Sequence, residues 1–117
     1  MNTKTQHNET IAEAELLALG KRAFLSLGMS DQDTNDLVSI LVMADLFGIS
    51  THGLSRIESY GDRLRIGGIN PQPQIVVERI ASAMVRVNGD NGVGPLVGMR
   101  TLEAAMAVAK DCGIVIA

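Results

Sequence analysis

Residues 44–68 read ADLFGISTHGLSRIESYGDRLRIGG and gather a histidine, three arginines and the only tyrosine of the chain. A helix that begins near Thr51 places His52, Arg56 and Tyr60 at i, i+4 and i+8, one above another, with Arg63 continuing the row. Leu54, Ile57, Gly61 and Leu64 fall in a different sector, so the polar row is not the core face. Arg65 has Asp62 three residues before it, a spacing at which helical ion pairs form. Arg56 has His52, Gly53, Ser59 and Tyr60 at the corresponding positions, and Arg63 likewise lacks a carboxylate there.

Two readings of that unpaired guanidinium follow. The plain one is a solvated surface arginine. The chemical one is an anion site, because a guanidinium presents a planar fork that matches a carboxylate through two parallel hydrogen bonds. The Tyr60 hydroxyl adds a third contact, and the His52 imidazole can give or take a proton. A cationic clamp beside a proton carrier suits a small carboxylic acid with a neighbouring carbonyl or hydroxyl.

Upstream of this stretch, residues 1–9 read as a polar, disordered tail containing His7. Thr10 and Glu13 have the T-x-x-E spacing of a capping box. Leu16, Leu17, Gly20, Phe24 and Leu27 form an apolar stripe that Gly28 ends. Ser30 opens a second helix, with Asp31 and Asp33 in its first turn. Leu37, Ile40, Leu41 and Ala44 mark its inner face, while Val38, Val42, Met43 and Leu46 carry apolar character almost all the way round. Such a helix is covered by more than one neighbour, or lies at a subunit interface. Asp45 interrupts this apolar surface and is read as capping the segment that follows, with the orienting of an active-site group as the alternative.

The third helix is expected over residues 53 to 64–66, stopped by Gly67 and Gly68. INPQPQ is extended, since residues before proline leave the α region. QIVVERI and AMVRVNG read as two short strands, and GDNGVG as a turn needing positive φ rather than a phosphate loop, because its spacing fits neither G-x-G-x-x-G nor a Walker pattern. Pro95 suits the first position of a fourth helix, whose packed face is Val97, Thr101, Ala104, Ala105 and Val108. Gly113 closes it, and IVIA reads as a buried strand of a parallel sheet.

Whole-chain properties narrow the classes. The 117 residues carry a net charge of −3 and a pI of about 5.2, which argues against nucleic acid as the partner. No apolar run reaches the ~20 residues of a membrane span. The N-terminus lacks a signal-peptide core, and Cys112, the single cysteine, excludes an internal disulfide and reads as a small core residue. No metal-ligand spacing is present. A cytoplasmic protein fits these properties. Aromatics are 3% of the residues, so the core must be aliphatic.

Taken together, ADLFGISTHGLSRIESYGDRLRIGGINPQP, VNGDNGVG and the helix ending in GIVIA resemble the N-terminal part of the malate/L-lactate dehydrogenase family of the non-Rossmann type. That group includes ureidoglycolate, sulfolactate, 2,3-diketogulonate and Δ1-piperideine-2-carboxylate oxidoreductases. The resemblance runs from residue 10 onward, and its most specific element is the S/T-H-G-x-x-R-x-x-x-Y run at residues 51–60. It implies hydride transfer between NAD or NADP and a 2-hydroxy or 2-keto acid, in a homodimer. It also implies that His52 is the proton donor or acceptor, Thr51 (usually serine) assists it, Arg56 binds the substrate carboxylate and Tyr60 is the aromatic beside it.

The expected fold is α/β, and α+β within this segment. Residues 10–68 form a helical subdomain of three helices. Residues 69–117 begin an α/β domain with a hairpin, a fourth helix and the first strand of a larger, sulfolactate dehydrogenase-like sheet. The family carries a second motif of the R-N-S-x-H-F-G type, then a lysine and the cofactor loops, all downstream of GIVIA. The chain is therefore expected to be truncated, to hold no cofactor-binding residues, and to be inactive alone. The pattern leaves open one rival reading, a non-catalytic helical oligomerisation module.

Overall fold

The computed structural model describes residues 10–117; the expected tail at residues 1–9, with His7, lies outside them. Four helices and one hairpin follow in order: α1 (Glu13–Ser26), α2 (Asp31–Leu46), a 3-10 turn at Ser50–His52, α3 (Arg56–Arg65), β1 (Val76–Ala81), β2 (Met84–Asn88) and α4 (Gly94–Cys112). This is the mixed helix-and-strand order expected, with the helices first.

Three of the four helices stop in the same way. Gly28, Gly48 and Gly67 have φ of 88°, 77° and 74°, a region that glycine enters without a Cβ penalty. After α1, the Gly28 N–H donates to Leu25 O and the Met29 N–H to Phe24 O. The same pair of bonds recurs at Gly48–Ile49 and at Gly67–Gly68, which is the Schellman closure of a helix C-terminus. At the N-termini the sequence reading divides. Ser30 caps α2, its Oγ accepting the Asp33 N–H at 3.1 Å. The Thr10–Glu13 capping box does not form, because α1 begins at Glu13 with Ala12 as the capping residue and no side-chain bond. Ala12 O receives the Glu15 and Leu16 N–H groups instead, and the charges of Glu13 and Glu15 favour this helix end.

The core is aliphatic around one phenylalanine: Phe24, Leu37, Val38, Leu41, Val42, Val93 and Leu96 are all buried. Helix α2 supplies most of it and packs against α1, α4 and the 3-10 turn, as an apolar helix with several neighbours should. Its buried face centres on Leu37, Val38, Leu41 and Val42, whereas Met43 and Leu46 are exposed. Gly20 of α1 lies so close to Val38 and Leu54 that a Cβ there would sit 2.8 and 2.9 Å from their methyls.

Strands β1 and β2 pair antiparallel, with Val77 opposite Val87 and Glu78 opposite Arg86, and an irregularity between Arg79 and Ala81. The turn after β2 holds the preceding loop: Asp90 Oδ2 accepts the Gln74 N–H at 2.8 Å and the Asn70 amide at 2.9 Å. Positive φ falls on Asp90 and Asn91, not on the glycines of GDNGVG. Gly89 and Gly92 are there for close approach, their Cα atoms lying against Val97 and Pro73. The C-terminal IVIA segment differs from the buried strand expected. It makes a single parallel bridge from Ile116 to Met84, and Ile114 and Ile116 are exposed.

Candidate functional site

The site is built by how the chain leaves α2. Gly48 turns the backbone, Ile49 N–H closes on Ala44 O, and residues 50–52 wind into the 3-10 turn. Asp45, in the last turn of α2, reaches the same place from the side: its Oδ2 accepts the Leu54 N–H at 2.7 Å. Between them Gly53 is buried, with φ −86° and ψ −158°. A Cβ on Gly53 would lie inside the Asp45 carboxylate. The Ser55 hydroxyl ties back to Ser50 O at 2.9 Å.

This corrects both the expected helix start at residue 53 and the row drawn on a helix beginning near Thr51. The extended Gly53 separates the turn that carries His52 from α3, which begins at Arg56. The cause is Asp45, whose carboxylate takes the Leu54 N–H that a continuous helix would use. The reading of Asp45 as a cap on the following segment is the part that holds. The expected row on one helical face therefore becomes a turn followed by a helix, with Arg56 in the first helical position and Tyr60 one turn later.

Thr51 Oγ1 lies 3.0 Å from His52 Nδ1. A hydroxyl donating to an unprotonated Nδ1, or an Nδ1–H donating to the hydroxyl, satisfies the pair equally, and both leave Nε2 free for exchange. Arg56 Nε donates to Thr51 O at 2.7 Å, which fixes the guanidinium to the turn that carries His52. Among the described residues Arg56 and Arg63 form no ion pair, whereas Arg65 pairs with Asp62 at 3.0 Å as its spacing suggested. The Arg56 terminal amino groups thus have no protein acceptor among the described residues. Thr51 and His52 are exposed and Arg56 half-buried. The Tyr60 ring packs on the core.

A fixed, unneutralised guanidinium beside an imidazole whose Nδ1 is engaged can hold a carboxylate and exchange a proton through Nε2. Other candidates give less. No cluster of metal-ligating side chains occurs among the described residues. In the GDNGVG turn Val97 and Pro73 occupy the space beside Gly89 and Gly92. Cys112 is half-buried rather than core; its thiol donates to Ser82 O at 2.9 Å and lies beside Arg79. The residue to which the sequence reading gave no chemical role is Gly53, which directly follows His52 in the sequence.

Residues 11–117 match the family model described as malate/L-lactate dehydrogenase. The malate dehydrogenase of Pyrococcus horikoshii is 39% identical over 93 residues, covering 80% of this chain and 26% of that protein. The L-sulfolactate dehydrogenase of Methanocaldococcus jannaschii is 34% identical over 87 residues, covering 74% of this chain and 25% of its own length. The solved structure of the malate dehydrogenase from Pyrococcus horikoshii OT3 superposes with a TM-score of 0.83 at 34% identity, over 88% of this chain and 30% of that one. The chain spans about a quarter of the length of the curated relatives it matches.

Proposed function

The chain belongs to the malate/L-lactate dehydrogenase family, and from that premise we propose that it is the N-terminal part of an NAD(P)-dependent 2-hydroxyacid dehydrogenase that also works as a 2-keto-acid reductase. Residues 10–68 are then the helical subdomain bearing the substrate side of the site, and residues 69–117 open the α/β part. The observation that carries this reading is the Arg56 guanidinium, free of any ion pair among the described residues and held by its Nε to the turn of Thr51 and His52.

Arg56 binds the carboxylate of the small acid through its terminal amino groups, and its bond to Thr51 O fixes the fork beforehand, so little freedom is lost on binding. In reduction, His52 Nε2 gives a proton to the oxygen of the carbonyl; in oxidation it takes the proton of the hydroxyl. Thr51 keeps Nδ1 engaged and so sets the ring's orientation. Tyr60, one turn along α3, supports the acid side of the site.

The nicotinamide cofactor supplies the hydride. We place its binding site on other parts of the protein, in keeping with Val97 and Pro73 occupying the space beside Gly89 and Gly92 of the glycine-rich turn. The isolated 117 residues accordingly bind no NADH and are inactive. A saturable fluorescence change on titrating this chain with NADH would refute that placement. The protein is further proposed to be a cytoplasmic homodimer, the exposed Leu102 and Met106 of α4 offering apolar surface. A monomer in light scattering, or recovery in a membrane pellet, refutes the corresponding part.

The clamp is tested in the full-length protein. Arg56→Ala removes a charge-assisted contact of about 2–4 kcal/mol, which raises KM for the keto acid roughly 30- to 1000-fold. An unchanged KM disposes of it. Arg56→Lys keeps the charge and loses the fork, and falls between the two.

A further inference from the structure

We propose that Asp45 is a positioning residue for His52 and Arg56, acting through the peptide of Gly53 and Leu54; this rests on the dehydrogenase reading of the site. Asp45 stands in the last turn of α2, where the helix dipole disfavours a negative side chain. Among the described residues no cation pairs with it. Its carboxylate instead receives the Leu54 N–H at 2.7 Å, a short hydrogen bond strengthened by the acceptor's charge.

Gly53 is fitted to that carboxylate. Its φ of −86° is open to any residue, so no left-handed backbone demands glycine here. What demands it is space, since the Cβ of any other residue would occupy the volume of the Asp45 carboxylate. Two positions separated in sequence thus make one joint, and the joint ends the 3-10 turn before α3 begins. That break sets where Thr51 O points, and Thr51 O is what Arg56 Nε grips at 2.7 Å. It also sets where the Thr51–His52 pair stands. Without the carboxylate, Leu54 N–H loses its acceptor and the turn loses the restraint that keeps it apart from α3.

The full-length protein is made as Asp45→Ala, Asp45→Asn, Gly53→Ala, His52→Ala, the Asp45→Ala/Gly53→Ala double variant and the Asp45→Ala/His52→Ala double variant. Each is followed by steady-state kinetics, and those that retain His52 also by the His52 ring nitrogen shifts and by exchange of the Leu54 amide. A displacement near 1 Å can cost about 100-fold in rate, so Asp45→Ala is expected to lower kcat at least about 10-fold. Asp45→Asn keeps an acceptor oxygen and stays within a few-fold. Gly53→Ala behaves like Asp45→Ala, and the Asp45/Gly53 double variant is no worse than Asp45→Ala, because the clash has gone. Asp45→Ala lowers kcat no further once His52 is alanine, its remaining effect falling on KM through Arg56, a split that a purely structural role would not produce.

Asp45→Asn as impaired as Asp45→Ala overturns the acceptor role. Gly53→Ala equally damaging with and without Asp45 overturns the fit between the two. Should the parent protein reduce no 2-keto acid, the dehydrogenase reading fails, and the resonance arm still decides the positioning. Asp45→Ala must then shift the His52 ring nitrogens and speed exchange at Leu54, and unchanged values refute the joint.

Discussion

Gly20→Ala sets two well-defined effects against each other. A glycine inside a helix is about 1 kcal/mol less favourable than alanine, so the substitution by itself stabilises α1. At this position the new methyl would lie 2.8 and 3.1 Å from the two Val38 methyls and 2.9 Å from Leu54 Cδ1. Val38 is 0% exposed and Leu54 6%, so neither has solvent to move into, and forcing a methyl into a packed core costs about 1–3 kcal/mol. The sum is a net loss of up to about 2 kcal/mol. Gly98, exposed in α4 with nothing within 4 Å of its would-be Cβ, shows the propensity gain alone, and Gly98→Ala stabilises by about 1 kcal/mol. Urea unfolding measures both as shifts in midpoint at constant slope. Val38→Ala in the Gly20→Ala background opens space for the methyl, so Gly20→Ala costs less there than in the parent. If Gly20→Ala stabilises as much as Gly98→Ala does, the helices do not approach as described.

Thr34 is 1% exposed and its hydroxyl has no partner among the described residues. An unsatisfied hydroxyl costs about 1–3 kcal/mol when buried, so Thr34→Val raises the unfolding midpoint, and a fall would mean that the hydroxyl is bonded after all. Ser30→Ala removes the α2 cap and costs about 1 kcal/mol, whereas Ser30→Gly costs a few tenths. With about 4–8 °C of Tm per kcal/mol in a domain of this order, calorimetry separates the two, and equal losses would count against the Ser30 Oγ bond to Asp33 N–H.

What was legible in the sequence was local. Gly28, Gly67 and Gly113 mark helix ends because the residue type itself carries the conformation, and Ser30 marks a start because its hydroxyl bonds within its own turn. The apolar spacing of α2 and Leu54 gave the core. The break at Gly53 was hidden because its cause, Asp45, acts from two turns upstream across a chain reversal. The glycines of GDNGVG misdirect for a similar reason: they serve contacts with Pro73 and Val97, while Asp90 and Asn91 take the left-handed positions. For the candidate site, residue type and spacing picked out Thr51, His52 and Arg56, which hydrogen bonds tie to one turn, and Tyr60, which packs on the core, yet the grip of Arg56 on a backbone carbonyl left no trace in the side-chain pattern.

That grip bears on how an exposed turn can hold a defined geometry. Loops are ordinarily the least restrained part of a fold, and His52 stands in solvent. Two residues on, however, Leu54 is part of the core and meets Gly20, while its N–H holds Asp45. One residue thus restrains the turn by side chain and backbone together, and Arg56 closes the circuit at Thr51 O. Pressure at Gly20, Val38 or Leu54 therefore reaches the imidazole through the packed core without any contact with substrate, and stability and turnover should fall together for substitutions there. Arg56→Ala opens no core cavity, so its effect on substrate binding should appear with little change in unfolding midpoint. A variant at Leu54 that lost stability while keeping full turnover would break this link.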